Sequence, residues 1–203
     1  MDMTGMKHEI EALAEAHREE FEAVSACIFE HPELAFQEKT AQNELCSLLE
    51  RHGFSVKRGA GSLDTAFVAE YNSGKPGMTF AFLCEYDALP ELGHACGHNW
   101  IAAAMCGCGI VLSKAAAEAG CNVKVIGCPA EETFGAKYDL CRRGVFDDVD
   151  IVMQAHLAEV TCLETRTLAM NSMEFVYRGK AAHAAQFPDQ GINALEAVLQ
   201  MFS

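Results

Sequence analysis

The chain predicts an α/β fold, a mixed sheet with helices on both faces, and three observations carry that prediction. Short apolar strands alternate with helical patterns along most of the length. Asn122–Cys128 reads as a strand of the buried type, closing on the apolar run Val125-Ile126-Gly127-Cys128. Trp100–Ala119 is rich in Ala, Gly and Cys, so small residues lie on several faces of one helix and imply close packing against a sheet. Half of the 203 residues are hydrophobic, enough for one sizeable domain or one domain plus part of another.

The elements follow in order. Ile10, Leu13, Ala14, His17, Phe21, Val24 and Ile28 recur at helical spacing and predict one amphipathic helix from about His8 to Glu30, stopped by His31-Pro32. Lys39–His52 predicts a second, with Gly53 in the stop position. Strands are expected at Phe54–Lys57, Thr65–Tyr71 and Met78–Cys84, the last two joined by the Asn72–Gly77 turn. The Ala-rich helix comes next, and Lys114 and Glu118 within it argue against membrane insertion; no apolar run is expected to reach a spanning length. The strand Asn122–Cys128 leads to Pro129-Ala130-Glu131-Glu132, then a short helix near Gly135–Arg143 and a strand at Asp150–His156.

After Thr161 the pattern changes. Leu163–Ala169 and Ser172–Tyr177 read as strands, followed by Gly179–His183 and a helix from about Ile192 still running at Ser203. Its apolar Ala194, Leu195, Val198 and Leu199 need a surface to cover. The expected division is therefore one domain over 1–170 and the start of a second domain over 171–203.

A net charge of −14 argues against nucleic acid or an anionic membrane as the main partner. The ten cysteines lie mostly inside apolar runs, none in a Cys-x-x-Cys pair, and the N-terminus is polar. These features predict a reduced, cytoplasmic chain whose thiols are mainly small core residues.

Polar residues able to hold a metal stand where predicted strands end. Glu85, Asp87, Cys96 and His98 follow Met78–Cys84; Glu131 and Glu132 follow Asn122–Cys128; His156 closes the strand from Asp150. Taken singly, each has a plain reading: Cys96 as a core thiol, His98 as a helix cap or core histidine, Glu131-Glu132 as a solvated helix start, His156 as a strand-end residue. Together they lie at equivalent ends of buried strands, where ligands of open α/β sheets gather. Cys, two His and a Glu suit zinc or an ion of similar preference. Of two adjacent glutamates, one can coordinate while the other acts as a base.

Glu85-Tyr-Asp-Ala-Leu-Pro90, Gly93-His-Ala-Cys-Gly-His98-Asn99, Pro129-Ala-Glu-Glu132 and Gly179-Lys-Ala-Ala-His-Ala184, in this order, resemble the metal-dependent amidohydrolases of the aminoacylase and glutamate carboxypeptidase family. The similar branch contains hippurate hydrolases and auxin–amino acid conjugate hydrolases, with aminobenzoyl-glutamate hydrolases and β-alanyl dipeptidases nearest. The resemblance implies a zinc-exopeptidase-like α/β domain with an inserted α+β lid that also forms a homodimer. It implies two divalent ions, zinc before manganese or cobalt, held by Cys96, His98, Glu132 and His156. Glu131 would be the general base and then acid, and His183 would stabilise the oxyanion in a partner subunit's site. Substrates would be small N-acyl amino acids or dipeptides.

Two departures qualify this. Many relatives carry Asp where this chain has Asn99, replacing a carboxylate that could orient His98. The family's last metal-binding His, beyond the lid, has no counterpart before Ser203, so the 203 residues alone are expected to show little or no activity. An inactive or regulatory fragment and an aminopeptidase of the same fold are the rival expectations.

Overall fold

The apolar segments form strands β1 (Ser55–Arg58), β2 (Phe67–Tyr71), β3 (Thr79–Cys84), β4 (Asn122–Gly127) and β5 (Ile151–Met153). They pair as one five-stranded sheet in the order β1-β2-β4-β3-β5. β1 and β4 flank β2 antiparallel, whereas β4 and β5 flank β3 parallel, with Phe82 opposite Val125 on one side and Met153 on the other. The sheet is therefore mixed, and the parallel trio brings the carboxyl ends of β3, β4 and β5 to one edge. The computed structural model describes residues 3–133, 135–163, 168 and 173–203. It divides into two units, Met1–Glu159 and Val160–Ser203; the boundary expected at 170/171 falls outside the described residues.

In the first unit, α1 (Met3–Ala16), α2 (Arg18–Glu30), α3 (Lys39–Arg51) and α4 (His98–Ala119) lie on one side of the sheet. There Ile28, Leu45, Leu49, Ile101 and Ile110 pack with Phe67, Phe82, Val123 and Val125. Each such fully buried side chain contributes about 1.5–3 kcal/mol from apolar burial. On the other side α5 (Ala136–Arg142) and a 3-10 turn at Ala60–Ser62 bury Leu140 and Ala60 against Ala81, Leu83 and Ile126. Alternate residues of β3 thus feed both cores, which is why its sequence is apolar from Phe80 to Cys84.

Several expectations are corrected. The helix foreseen over His8–Glu30 is two helices that break at His17, whose φ and ψ of −109° and 6° leave the helical region. Neither Pro nor Gly marks this break. The His17 ring instead stands edge-on to His52 of the α3 C-terminus, with centroids 4.8 Å apart, a tertiary contact no local pattern announces. β5 is three residues long rather than running to His156, because past Met153 the chain leaves the ladder with β3. On length and composition alone, His98–Ala116 within α4 suffices to cross a membrane, contrary to the expectation; here α4 is the central helix of the larger core.

In the second unit, α6 (Ala194–Met201) is capped by Asn193, whose Oδ1 accepts from Leu195 N and Glu196 N. Lys180 and Ile192 exchange both backbone hydrogen bonds at 3.0 Å. Of the strand expected at Leu163–Ala169, all but Leu163 and Leu168 lie outside the described residues. From Met173 to Tyr177 the chain forms no strand, since among the described residues no neighbour pairs with it.

Candidate metal centre

The shared edge of β3, β4 and β5 is where the site assembles. Past β3, the chain turns through Glu85–Gly97 and enters α4 at His98. Gly97 makes this entry: its φ of +78° lies in the left-handed region that favours glycine, and an added Cβ would crowd the Leu157 side chain. His98 is fully buried, and its Nδ1 lies 2.9 Å from Asp87 O and 3.1 Å from Asp87 Oδ1. Both partners accept, so Nδ1 carries the proton and Nε2 presents its lone pair. That Nε2 faces Glu85 Oε2 at 3.6 Å, Glu132 Oε1 at 3.6 Å and Glu131 Oε2 at 3.9 Å. His156 follows the same rule: its Nδ1 donates to Leu157 O at 2.9 Å, and Nε2 faces Glu85 Oε2 at 3.6 Å and Cys96 Sγ at 3.8 Å.

These separations test whether a divalent ion fits. At 3.6 Å the nitrogen and oxygen are too far apart for a hydrogen bond. Two donors on one tetrahedral ion with bonds of about 2.1 Å stand about 3.4 Å apart. Among the described residues, His98 Nε2, Glu85 Oε2 and Glu132 Oε1 are buried with no hydrogen-bond partner. Lone pairs that converge, buried and unpaired, at this spacing are what a bound cation satisfies. The donor set of thiol, imidazoles and carboxylates fits zinc and its neighbours.

The electrostatics agree. Burial, a hydrogen bond with Glu132 and the surrounding carboxylates push the Cys96 thiol up to about 12, so a thiolate here needs a cation beside it. Burial and the neighbouring Glu85 raise Glu131, partly offset by Lys137 and His98, which suits a carboxyl that exchanges protons. Burial alone would raise Asp87, but the His98 hydrogen bond and the Glu132 amide bring it below the usual carboxylate range. Burial would lower His98 in turn, yet Asp87 outweighs it and the net shift is upward.

The Glu131-Glu132 turn is held from two sides. Glu132 N donates to Asp87 Oδ2 at 3.0 Å, and Ala130 N donates to Glu38 Oε1 at 2.9 Å. Ala130 has a φ of +54°, a left-handed conformation that costs a non-glycine residue of order 1 kcal/mol or more and persists only where its surroundings impose it. Glu38, entirely buried at the start of α3, imposes it, and no sequence pattern pointed to that residue. Lys137, whose ammonium contacts Glu85 Oε1, was equally invisible. Asn99 corrects an expectation: its Nδ2 donates to Ser25 Oγ at 2.9 Å, away from His98, and the carboxylate orienting His98 is Asp87.

The structure thus brings Cys96, His98, Glu131, Glu132 and His156 together with Glu85. His183 belongs to the second unit, where its Nδ1 accepts from Ala185 N and Gln186 N at 3.3 and 3.1 Å, leaving the proton on Nε2.

A mixed sheet carrying this donor set at its parallel edge defines the class of metal-dependent exopeptidase and amidohydrolase domains. The chain is 40% identical over 194 residues to the Xaa-Arg dipeptidase of Mus musculus, covering 89% of this chain and 45% of that one. It is 37% identical over 212 residues to a p-aminobenzoyl-glutamate hydrolase subunit of Escherichia coli (strain K12), covering 95% and 44%. The crystal structure of a dinuclear metal-binding peptidase of the M20 family from Bacillus subtilis superposes with a TM-score of 0.61 at 26% identity, over 68% of this chain and 42% of that one. No protein-family model matches. The chain belongs to the M20 family of metal-dependent amidohydrolases. It spans about half the length of the curated relatives it matches.

Proposed function

We propose that this chain carries the metal-binding part of a hydrolase that cleaves the amide bond of a small N-acyl amino acid or dipeptide. The observation that carries the reading is the convergence of His98 Nε2, Glu132 Oε1 and Glu85 Oε2, buried and unpartnered, beside the raised carboxyl of Glu131. Cys96, His98, Glu132 and His156 would hold the divalent ions, of which zinc suits the thiolate and imidazoles best, with manganese and cobalt as alternatives. Such ions polarise water and the scissile carbonyl. Glu131, hanging over the same space, takes the proton from the attacking water and returns it to the departing amine, so that water and amide become acid and amine. Asp87 holds the His98 tautomer that keeps Nε2 free for a ligand's role. His183, with its proton on Nε2, would donate to the oxyanion developing in a partner subunit's site.

Other features support the setting. The ten cysteines lie mostly inside apolar runs rather than at framework spacings, which supports reading a reducing, cytoplasmic location. Leu195 and Leu199 on α6 are exposed, as a homodimer formed through the second unit would require.

Glu131→Gln in the full-length enzyme tests the mechanism. Turnover should fall by about 10²–10⁴-fold, the usual contribution of such a group, while metal content stays unchanged. Near-normal turnover would overturn the role of Glu131. Cleavage of free-amine dipeptides with N-acylated ones left intact would replace the proposed substrate class by that of an aminopeptidase.

A further inference from the structure

We propose that Glu85 is an additional ligand of the metal centre, held in a one-oxygen posture by Lys137. The inference rests on the metal reading above and extends its donor set beyond Cys96, His98, Glu132 and His156. Glu85 is the first residue past β3, and its side chain is 2% exposed. Oε1 takes the ammonium of Lys137, the second residue of α5. Oε2 has no hydrogen-bond partner among the described residues and lies 3.6 Å from both His98 Nε2 and His156 Nε2.

A glutamate present only to neutralise Lys137 would not sit this way. A buried ion pair is tolerated when its remaining lone pairs are also satisfied, and Oε2 is left bare. It points instead at two imidazole nitrogens whose own protons are engaged on the far side of each ring, at Asp87 and at Leu157 O. Three lone-pair atoms then face one small volume, with Oε2 equidistant from the two nitrogens. Only a cation, or protons shared among them, relieves that arrangement, and the 3.6 Å spacing is that of ligands around an ion rather than of hydrogen bonds. Lys137 has a defined part in this geometry. By occupying Oε1 it prevents both carboxylate oxygens from turning to the ion, and it offsets part of the charge of Glu85 and of Glu131, whose Oε1 is 3.9 Å away.

Co²⁺ binding to the full-length enzyme, first stripped of metal, tests this without reliance on turnover. The thiolate and ligand-field absorption bands report affinity and coordination together, and circular dichroism reports folding. Glu85→Gln, which keeps an oxygen for Lys137, should weaken Co²⁺ binding about tenfold or more and shift the ligand-field bands. Lys137→Met should alter the bands with a smaller loss, because the carboxylate remains but is free to turn. Where the single glutamine variant does not fold, E85Q combined with K137Q removes both charges and carries the same expectation. Unchanged affinity and bands in a folded Glu85 variant would overturn the assignment. Absence of Co²⁺ binding by the unaltered full-length enzyme would overturn the metal reading itself, a result distinct from the first.

Discussion

Two places in the first unit gather ligand-bearing side chains equally closely, yet differ in what they can do. His98, Glu131 and Glu132, like Cys96, His98 and His156, place one ligand atom each within 4.8 Å of the others; so do His17, Glu20 and His52. In the second cluster His52 Nε2 meets Glu20 Oε2 at 2.8 Å, and Arg51 covers Glu20 Oε1 at 2.9 Å. Both Glu20 oxygens there have a donor, and the residues are only partly buried. At the sheet edge the contacts are 3.6 Å, no proton donor intervenes, and the atoms are buried. The lesson is that residue type and proximity do not distinguish an ion pair from a metal centre. Whether the buried lone pairs are already satisfied does.

The largest effect expected from this contrast is on metal binding. His98→Gln should lower affinity for Zn²⁺ or Co²⁺ by at least about a hundredfold, since it replaces a buried ligand, whereas His52→Gln should leave stoichiometry and affinity as they are. The same titration read by thermal unfolding should show metal at about 100 times its Kd stabilising the wild type by about 2.7 kcal/mol, with that increment kept in the His52 variant. Equal loss of metal from both variants would erase the distinction. Asp87→Asn comes next. It leaves the ligands in place but removes the carboxylate that fixes the His98 tautomer, so metal affinity should drop about 10–100-fold; an unchanged Kd would show that the Asp87 carbonyl alone suffices.

The smallest effect sharpens the rule, because a lone buried oxygen can also be satisfied by a proton. Glu38 Oε2 has no partner among the described residues, and no imidazole faces it. Burial pushes its carboxyl above the ordinary value of 4.5, despite the opposing hydrogen bonds of its own backbone, Thr65, Ala130 and Phe36. A raised folded value means that the protonated form favours the fold. The stability this group contributes is therefore present below about 4.5 and is lost as pH rises through the folded value. Glu38→Gln cannot titrate, so the stability of the wild type relative to it should decline over that rise, measured as urea midpoints at several pH values. A difference that grew with pH would reverse the sign and place a cation beside Glu38.

Much of the architecture is legible in the residues alone. Asn122–Gly127 and Thr79–Cys84 announce themselves because a strand covered on both faces must be apolar at consecutive positions. Gly53, at φ +86° after α3, marks that helix end as the pattern indicated. The residues of the candidate site are also nameable, through a combination of motifs in a fixed order. What stays hidden depends on partners distant in sequence. Glu38 reaches Ala130 across 92 positions, and Asn99 reaches Ser25 across 74. The break at His17 answers to His52 and not to any local signal.

By itself, then, the sequence determined the kinds of elements, the mixed α/β class and the set of side chains able to hold a metal, because apolar periodicity, turn residues and ligand chemistry are local properties. Only the tertiary structure decided the strand order that gathers three strand ends, the tautomers of His98 and His156, and the bare oxygen of Glu85. Those depend on which hydrogen-bond donors are within reach once distant segments pack, and no spacing along the chain encodes that.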